Sequence, residues 1–196
     1  EPIQQIWGHM EGAPEKGAMK EFATVRMPFR VFRDLYPHGL VYINEIGERG
    51  ENPLLALWDR AVRNGMMYWA VGLQWNWSDH GAFPTITDPD PRLPMKQLVQ
   101  TLSVEDDHVA YTKEFLNLHN GLINVDIGGR SVVVSYDRRL DVFTAFFNDT
   151  GRPVTEVDVL GQMPGGGRLA RVNSLKSDLF WFIFAEFYPG TEVNRS

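Results

Sequence analysis

The spacing of hydrophobic residues changes about halfway along this chain. In residues 52–64, "NPLLALWDRAVRN", Leu54, Leu55, Trp58, Ala61 and Val62 recur at intervals of three and four, the period of a helix with one buried face. Asn52 is placed to cap that helix, Pro53 suits its first turn, and Gly65 closes it. The continuous apolar run at 66–73 reads as a buried strand, and "QWNWSDHGAFPTITDPDPRLP" after it carries too many breakers for any regular element, so it reads as a long ordered loop. Beyond the loop the period shortens. Segments 98–104, 108–112, 122–127, 131–136, 140–147 and 154–160 are strand candidates, separated by turn chemistry at 105–107, Gly128-Gly129, 148–151 and 163–167. The pattern closes on an aromatic helix, "SDLFWFIFAEFYPG", in which Phe180, Phe184 and Phe187 share a face that should be core. Residues 1–24, rich in Gly, Pro, Glu and Gln, read as an irregular arm ahead of one domain spanning 25–196. The expected fold is a single α+β domain, a twisted and mainly antiparallel sheet with a few packed helices.

A short internal echo accompanies this pattern. "FRVFRDLYPHGLV" and "WFIFAEFYPGTEV" superpose on Tyr36-Pro37 and Tyr188-Pro189, which predicts two similarly built corners but falls short of a repeat protein.

Composition narrows the function classes. With 196 residues, 43% of them hydrophobic and 22% charged, the chain can bury one substantial core. Its net charge of −6, without a long basic cluster, excludes the electrostatic footprint of a nucleic-acid-binding surface. There is no cysteine, so disulfides, thiol nucleophiles and Cys-ligated metals are excluded together. No apolar run approaches the ~20 residues of a membrane-spanning helix. Because the sequence starts at Glu1-Pro2, an export signal or anchor removed from its front is expected, with a periplasmic or extracellular location.

From about residue 90 to 193 the chain resembles a prokaryotic family, domain of unknown function 3179. The resemblance is carried by "DPRLP" at 90–94, "DDHVAYT" at 106–112, "LNLHNGLINVDIGGRSVVVSY" at 116–136, "GQMPGGGRLARV" at 161–172 and "FWFIFAEFYPGTEV" at 180–193. Many members carry Cys-Pro-Leu-Cys after the tyrosine matched by Tyr136, whereas this chain has Asp137-Arg138-Arg139-Leu140. Any thiol or soft-metal chemistry of those members is therefore absent here. The family carries no settled biochemical role, so the resemblance implies a fold and no activity.

Three groups of residues are candidates for chemistry. His119, with Asp126 and a more distant His108, offers imidazole and carboxylate ligands for a hard or borderline metal. The opposing reading, preferred here, makes His119 a backbone-bonded histidine at the mouth of a hairpin turned by Gly128-Gly129. Trp75 and Trp77 project to one side of an extended segment and, with Trp7 of the arm, form a candidate surface for a partner protein or for stacking on a sugar; pinning of the loop to its own core is the plainer account. "PGGGRL" lacks the Gly-Lys-Ser/Thr ending of a phosphate loop, and no Gly-x-Ser-x-Gly occurs.

With no complete catalytic constellation and no cofactor motif, the sequence points to a non-catalytic, exported binding or scaffold module. Its expected partners are protein subunits of a larger assembly, such as a membrane-embedded complex, on whose outer face it would dock as an accessory subunit. A metal-binding protein or metal-dependent enzyme centred on His119 is the alternative, and a carbohydrate-binding module using Trp75 and Trp77 the third reading.

Overall fold

A computed structural model describes residues 24–42 and 89–195, together with 53–54, 57–58, 60–62, 65–66 and 68–69 between them. Alternating apolar positions build two four-stranded sheets. The elements in order are α1 (Phe29–Leu35), β1 (Leu98–Val104), β2 (Asp107–Tyr111), α2 (Lys113–Leu118), β3 (Leu122–Ile127), β4 (Arg130–Asp137), β5 (Val142–Phe147), β6 (Ala170–Arg171), β7 (Ser174–Phe180), α3 (Trp181–Phe187) and β8 (Glu192–Asn194). One sheet has the order β7-β1-β2-β8 and the other β3-β4-β5-β6. Every pairing is antiparallel except β2 with β8. The fold is a single α+β domain, and the expected single sheet is in fact two.

Period-two patterning explains why there are two. Leu102, Val104, Val109 and Tyr111 of the first sheet meet Val132, Val134, Tyr136, Phe143 and Ala145 of the second in one buried cluster, completed by Leu116 of α2. The residues between them in sequence point the other way. Val99 and Ala110 pack under Trp181, Phe184 and Ala185 of α3, while Val133 and Phe146 are covered by Val154 and Leu169. A single open sheet would leave one of these faces in water. Since each fully buried large apolar side chain contributes about 1.5–3 kcal/mol, covering both faces of both sheets is the favourable arrangement.

Several elements differ from the pattern-based expectation. The segment 154–160 is irregular, not a strand: Val154 and Val159 are buried, but the backbone of Val154 is bonded by the Asn124 carboxamide, which donates to its C=O and accepts from its N–H, both at 2.9 Å. Ser174–Phe180 is a strand, so the closing helix starts only at Trp181; Phe184 is core as expected, yet Phe187 is exposed. Among the described residues between 53 and 69, all are helical, including Gly65, Met66, Tyr68 and Trp69. Helix thus replaces the expected strand at its described positions, as a continuous apolar run fits either element and Gly costs a helix only about 1 kcal/mol. Leu54 and Trp58, expected to be buried, are exposed. Most of the long loop and the whole of residues 1–23, including Trp7, Trp75 and Trp77, lie outside the described residues.

The internal echo is real at the backbone. Helices α1 and α3 each span seven residues; they end on Tyr36 (φ −127°, ψ 70°) and Tyr188 (φ −135°, ψ 72°), whose N–H groups bond to Phe32 and Phe184.

Candidate functional site

The polar groups of the molecule converge where β1, β7, α2 and the β4–β5 turn meet. Thr112 caps α2 by accepting from the Phe115 N–H at 3.2 Å, which fixes Lys113 at the first helical position. The Lys113 Nζ then lies 2.7 Å from Asp141 Oδ1 and 3.0 Å from Asp178 Oδ1. The Tyr136 hydroxyl donates to Asp141 Oδ1 at 2.8 Å, and the fully buried Gln100 donates to Asp178 Oδ1 at 2.7 Å. Arg26, from the extended segment ahead of α1, pairs with the other oxygen of Asp178. Both aspartates hold left-handed backbone, φ 53° in each, a conformation that costs a non-glycine residue free energy and persists only when its surroundings enforce it. Together with Met27, Pro28, Phe143 and Ser177 these side chains line a cavity of about 130 Å³.

Electrostatics fixes the protonation of this centre. Hydrogen bonds from Lys113 and Tyr136 hold the Asp141 carboxyl below its usual range. Burial acts against the Lys113 charge, but the bonds to Asp141 and Asp178 outweigh it and raise its pKa. Burial, then the bond to Asp141, raises the Tyr136 phenol. Near neutral pH the cluster therefore holds ammonium, phenol and carboxylate in fixed states. It can bind and orient, while general acid–base work favours a group that titrates near the working pH.

The histidines sit elsewhere. His119 is the exposed C-cap of α2, its Nδ1 donating to the Phe115 carbonyl at 2.9 Å, with its ring against Phe115. His108 lies on the outer face of the first sheet, bonded to Ser103 Oγ at 2.7 Å and stacked near Tyr188. Asp126 is exposed on β3 of the other sheet, opposite Ser131. Among the described residues no three His, Asp or Glu side chains are grouped to hold a metal, and these three are not brought together.

The stretch "LNLHNGLINVDIGGR" is instead a fold-building device. Gly121 (φ 73°) lies so close to β4 that a Cβ would sit 2.3 Å from the Tyr136 carbonyl oxygen. At the other end of the hairpin a Cβ on Gly128 would sit 2.4 Å from the Val104 oxygen, and the Gly128 N–H donates to Asp107 at 2.9 Å, tying the two sheets together. "DPRLP" is a clamp: Arg92 bonds Asp90 and the carbonyls of Pro189 and Thr191, and its guanidinium lies over the Trp181 ring. Asp137, at the place of a family cysteine, accepts the N–H groups of Arg139 and Leu140 and so builds the turn that presents Asp141.

The polar centre escaped sequence reasoning because its members come from segments up to 152 positions apart and no two form a motif. One signal was available: the break from the family pattern at 137–140 lies next to Asp141.

No curated protein and no solved structure matches this chain. A family match does exist, and it reaches beyond the C-terminal half to cover residues 1–191, so the segment carrying Arg26 and α1 lies inside it. The chain belongs to the protein family of unknown function DUF3179.

Proposed function

We propose that the protein is a non-catalytic binding module that docks on a partner protein through an apolar helical surface. The observation that carries this reading is the exposure of Leu54, Leu57, Trp58, Met66, Tyr68 and Trp69, each 65–85% accessible. Trp58, Ala61, Gly65 and Trp69 follow one another at intervals of three and four, the spacing of one helix face. Large aromatic side chains left in water forgo their burial free energy, and such residues supply the anchors of protein interfaces. The fixed charge states around Lys113 support the non-catalytic half of the proposal.

The test is affinity purification of the native protein beside a variant with Trp58→Ser and Trp69→Ser. Loss of a co-purifying protein with an unfolding midpoint within about 2 °C of wild type is the expected result, since surface substitutions have small stability effects. Undiminished partner recovery, or a large fall in the midpoint, would remove the basis of the proposal. We further propose that the module is an exported accessory subunit of a larger assembly; recovery in the cytosolic fraction of gently lysed cells would count against this. The described residues contain no helix long and apolar enough to cross a membrane, so any attachment would run through the partner or through segments outside them.

A further inference from the structure

Beyond docking, we infer that the cavity beside Lys113 is a binding site for a small zwitterion of the amino-acid type. The walls carry two cations, Arg26 and Lys113, and two carboxylates, Asp141 and Asp178, already paired with one another. A ligand with net charge would enter this balanced setting without a free counter-charge and would give up part of its hydration uncompensated. A net-neutral ligand avoids that cost.

The unspent hydrogen-bonding groups decide its polarity. The Ser177 hydroxyl is buried and has no partner. Gln100 has two amide N–H groups and gives one to Asp178. Arg26, exposed at the rim, gives one of its five N–H donors to the same carboxylate. These three are donors and suit the two oxygens of a carboxylate. Asp141 receives both Lys113 and Tyr136 on Oδ1, which leaves Oδ2 to accept from an ammonium group. Met27, Pro28 and Phe143 supply apolar wall for a small aliphatic side chain. A volume of about 130 Å³, well below that of pockets for drug-sized ligands, suits a ligand of few heavy atoms such as glycine or alanine.

The experiment is calorimetric titration of the full chain with glycine and L-alanine, with acetate, methylammonium and glycerol as single-feature probes. Amide chemical shifts of Gln100 and Ser177 serve as a second readout. Saturable binding of the amino acids at millimolar concentration, as expected of so small a ligand, should be weakened about tenfold by Ser177→Ala and by Arg26→Gln, with an unfolding midpoint no more than about 4 °C below wild type. Acetate binding as tightly would identify a plain anion site, and glycerol a polyol site; either overturns the zwitterion. Absence of saturation by any probe up to about 20 mM, or full affinity in both variants, overturns the site itself. These outcomes are independent of whether the Trp58 variant loses a protein partner.

Discussion

Helices α1 and α3 have nearly the same backbone and opposite fates. Each is seven residues long and closes on a Tyr-Pro corner with matching dihedral angles, yet α1 buries only Val31 whereas α3 buries Trp181, Phe182, Phe184 and Ala185. Phe29, at the position equivalent to Trp181, is 65% exposed. Local sequence therefore sets the shape of the corner: the residue before a proline is driven out of helical backbone, which ends the helix at that point. Burial is set by what the corner lands on. Helix α3 lies across Val99 and Ala110 of a sheet face, and α1 touches the end of the other sheet at Val142 and the irregular segment at Val159. The segments that lead into the two helices meet each other. Arg26 and Asp178 are separated by 152 positions, the offset that relates Tyr36 to Tyr188, so equivalent positions are in contact.

The largest effect should come from removing the ring that α3 buries. Trp181→Ala takes away a fully buried indole that also donates to the Asp90 carbonyl and lies beneath Arg92. A loss of about 3–5 kcal/mol by urea unfolding is expected, against less than about 0.5 kcal/mol for Phe29→Ala. Equal costs would mean that the corners bury equivalent surface, contrary to the comparison.

Gly121→Ala is next. It places a methyl against the Tyr136 carbonyl at a position with φ 73°, whereas Gly129→Ala, at φ 68°, meets nothing within 4 Å. Both pay the left-handed penalty of about 1 kcal/mol, but only Gly121→Ala must also shift β4, so it should cost clearly more, about 2–3 kcal/mol.

How far the sequence could be read follows from the same distinction between local and distant causes. Strands β1 and β3 were legible to the residue because alternation and turn glycines are local signals. Strand β7 was not, since "SLKSDLF" alternates poorly and carries a bulge between Val99 and Thr101 of its partner strand. The exposed helical residues between 53 and 69 show the reverse failure: amphipathic spacing identifies a face and does not say whether this chain or another protein covers it. Nor could the polar centre be seen in advance. Its lysine, phenol and carboxylates acquire meaning only after β4, α2 and β7 have been placed side by side.

A smaller effect tests the contact between the segments ahead of α1 and α3. Asp178→Asn tolerates left-handed backbone but gives up the pairing with Lys113 and Arg26 at a site only 15% exposed. A cost of about 1–3 kcal/mol is expected, because Lys113 is left with fewer partners while still charged. Arg26→Gln, at a side chain 63% exposed, should cost at most about 1 kcal/mol. A near-zero result for Asp178→Asn would mean that the pairing of Asp178 with Lys113 and Arg26 contributes nothing to stability.

The gentlest perturbation is pH, and its sign is fixed by the direction of the shifts. The Arg92 hydrogen bonds hold Asp90 below the usual carboxylate range, and Lys113 with Tyr136 does the same for Asp141. Carboxyls lowered on folding contribute stability that is present above their unfolded value, about 3.9, and is lost as pH falls through the folded values. At the other end Tyr136 and Lys113 are raised, so their contribution is present below the unfolded values, about 10 and 10.4, and is lost as pH climbs through the folded ones. Stability should therefore form a plateau between about pH 4 and pH 10, with a fall on each side. Asp90→Asn lies in the clamp of the α3 corner and should make the acid limb shallower while leaving the alkaline limb in place. Tyr136→Phe should make the alkaline limb shallower by removing the phenol titration, and should also soften the acid limb a little because it takes away one of the bonds that lower Asp141. If both variants retain the wild-type limbs, neither the Arg92 clamp nor the Lys113 centre contributes to the pH dependence of folding.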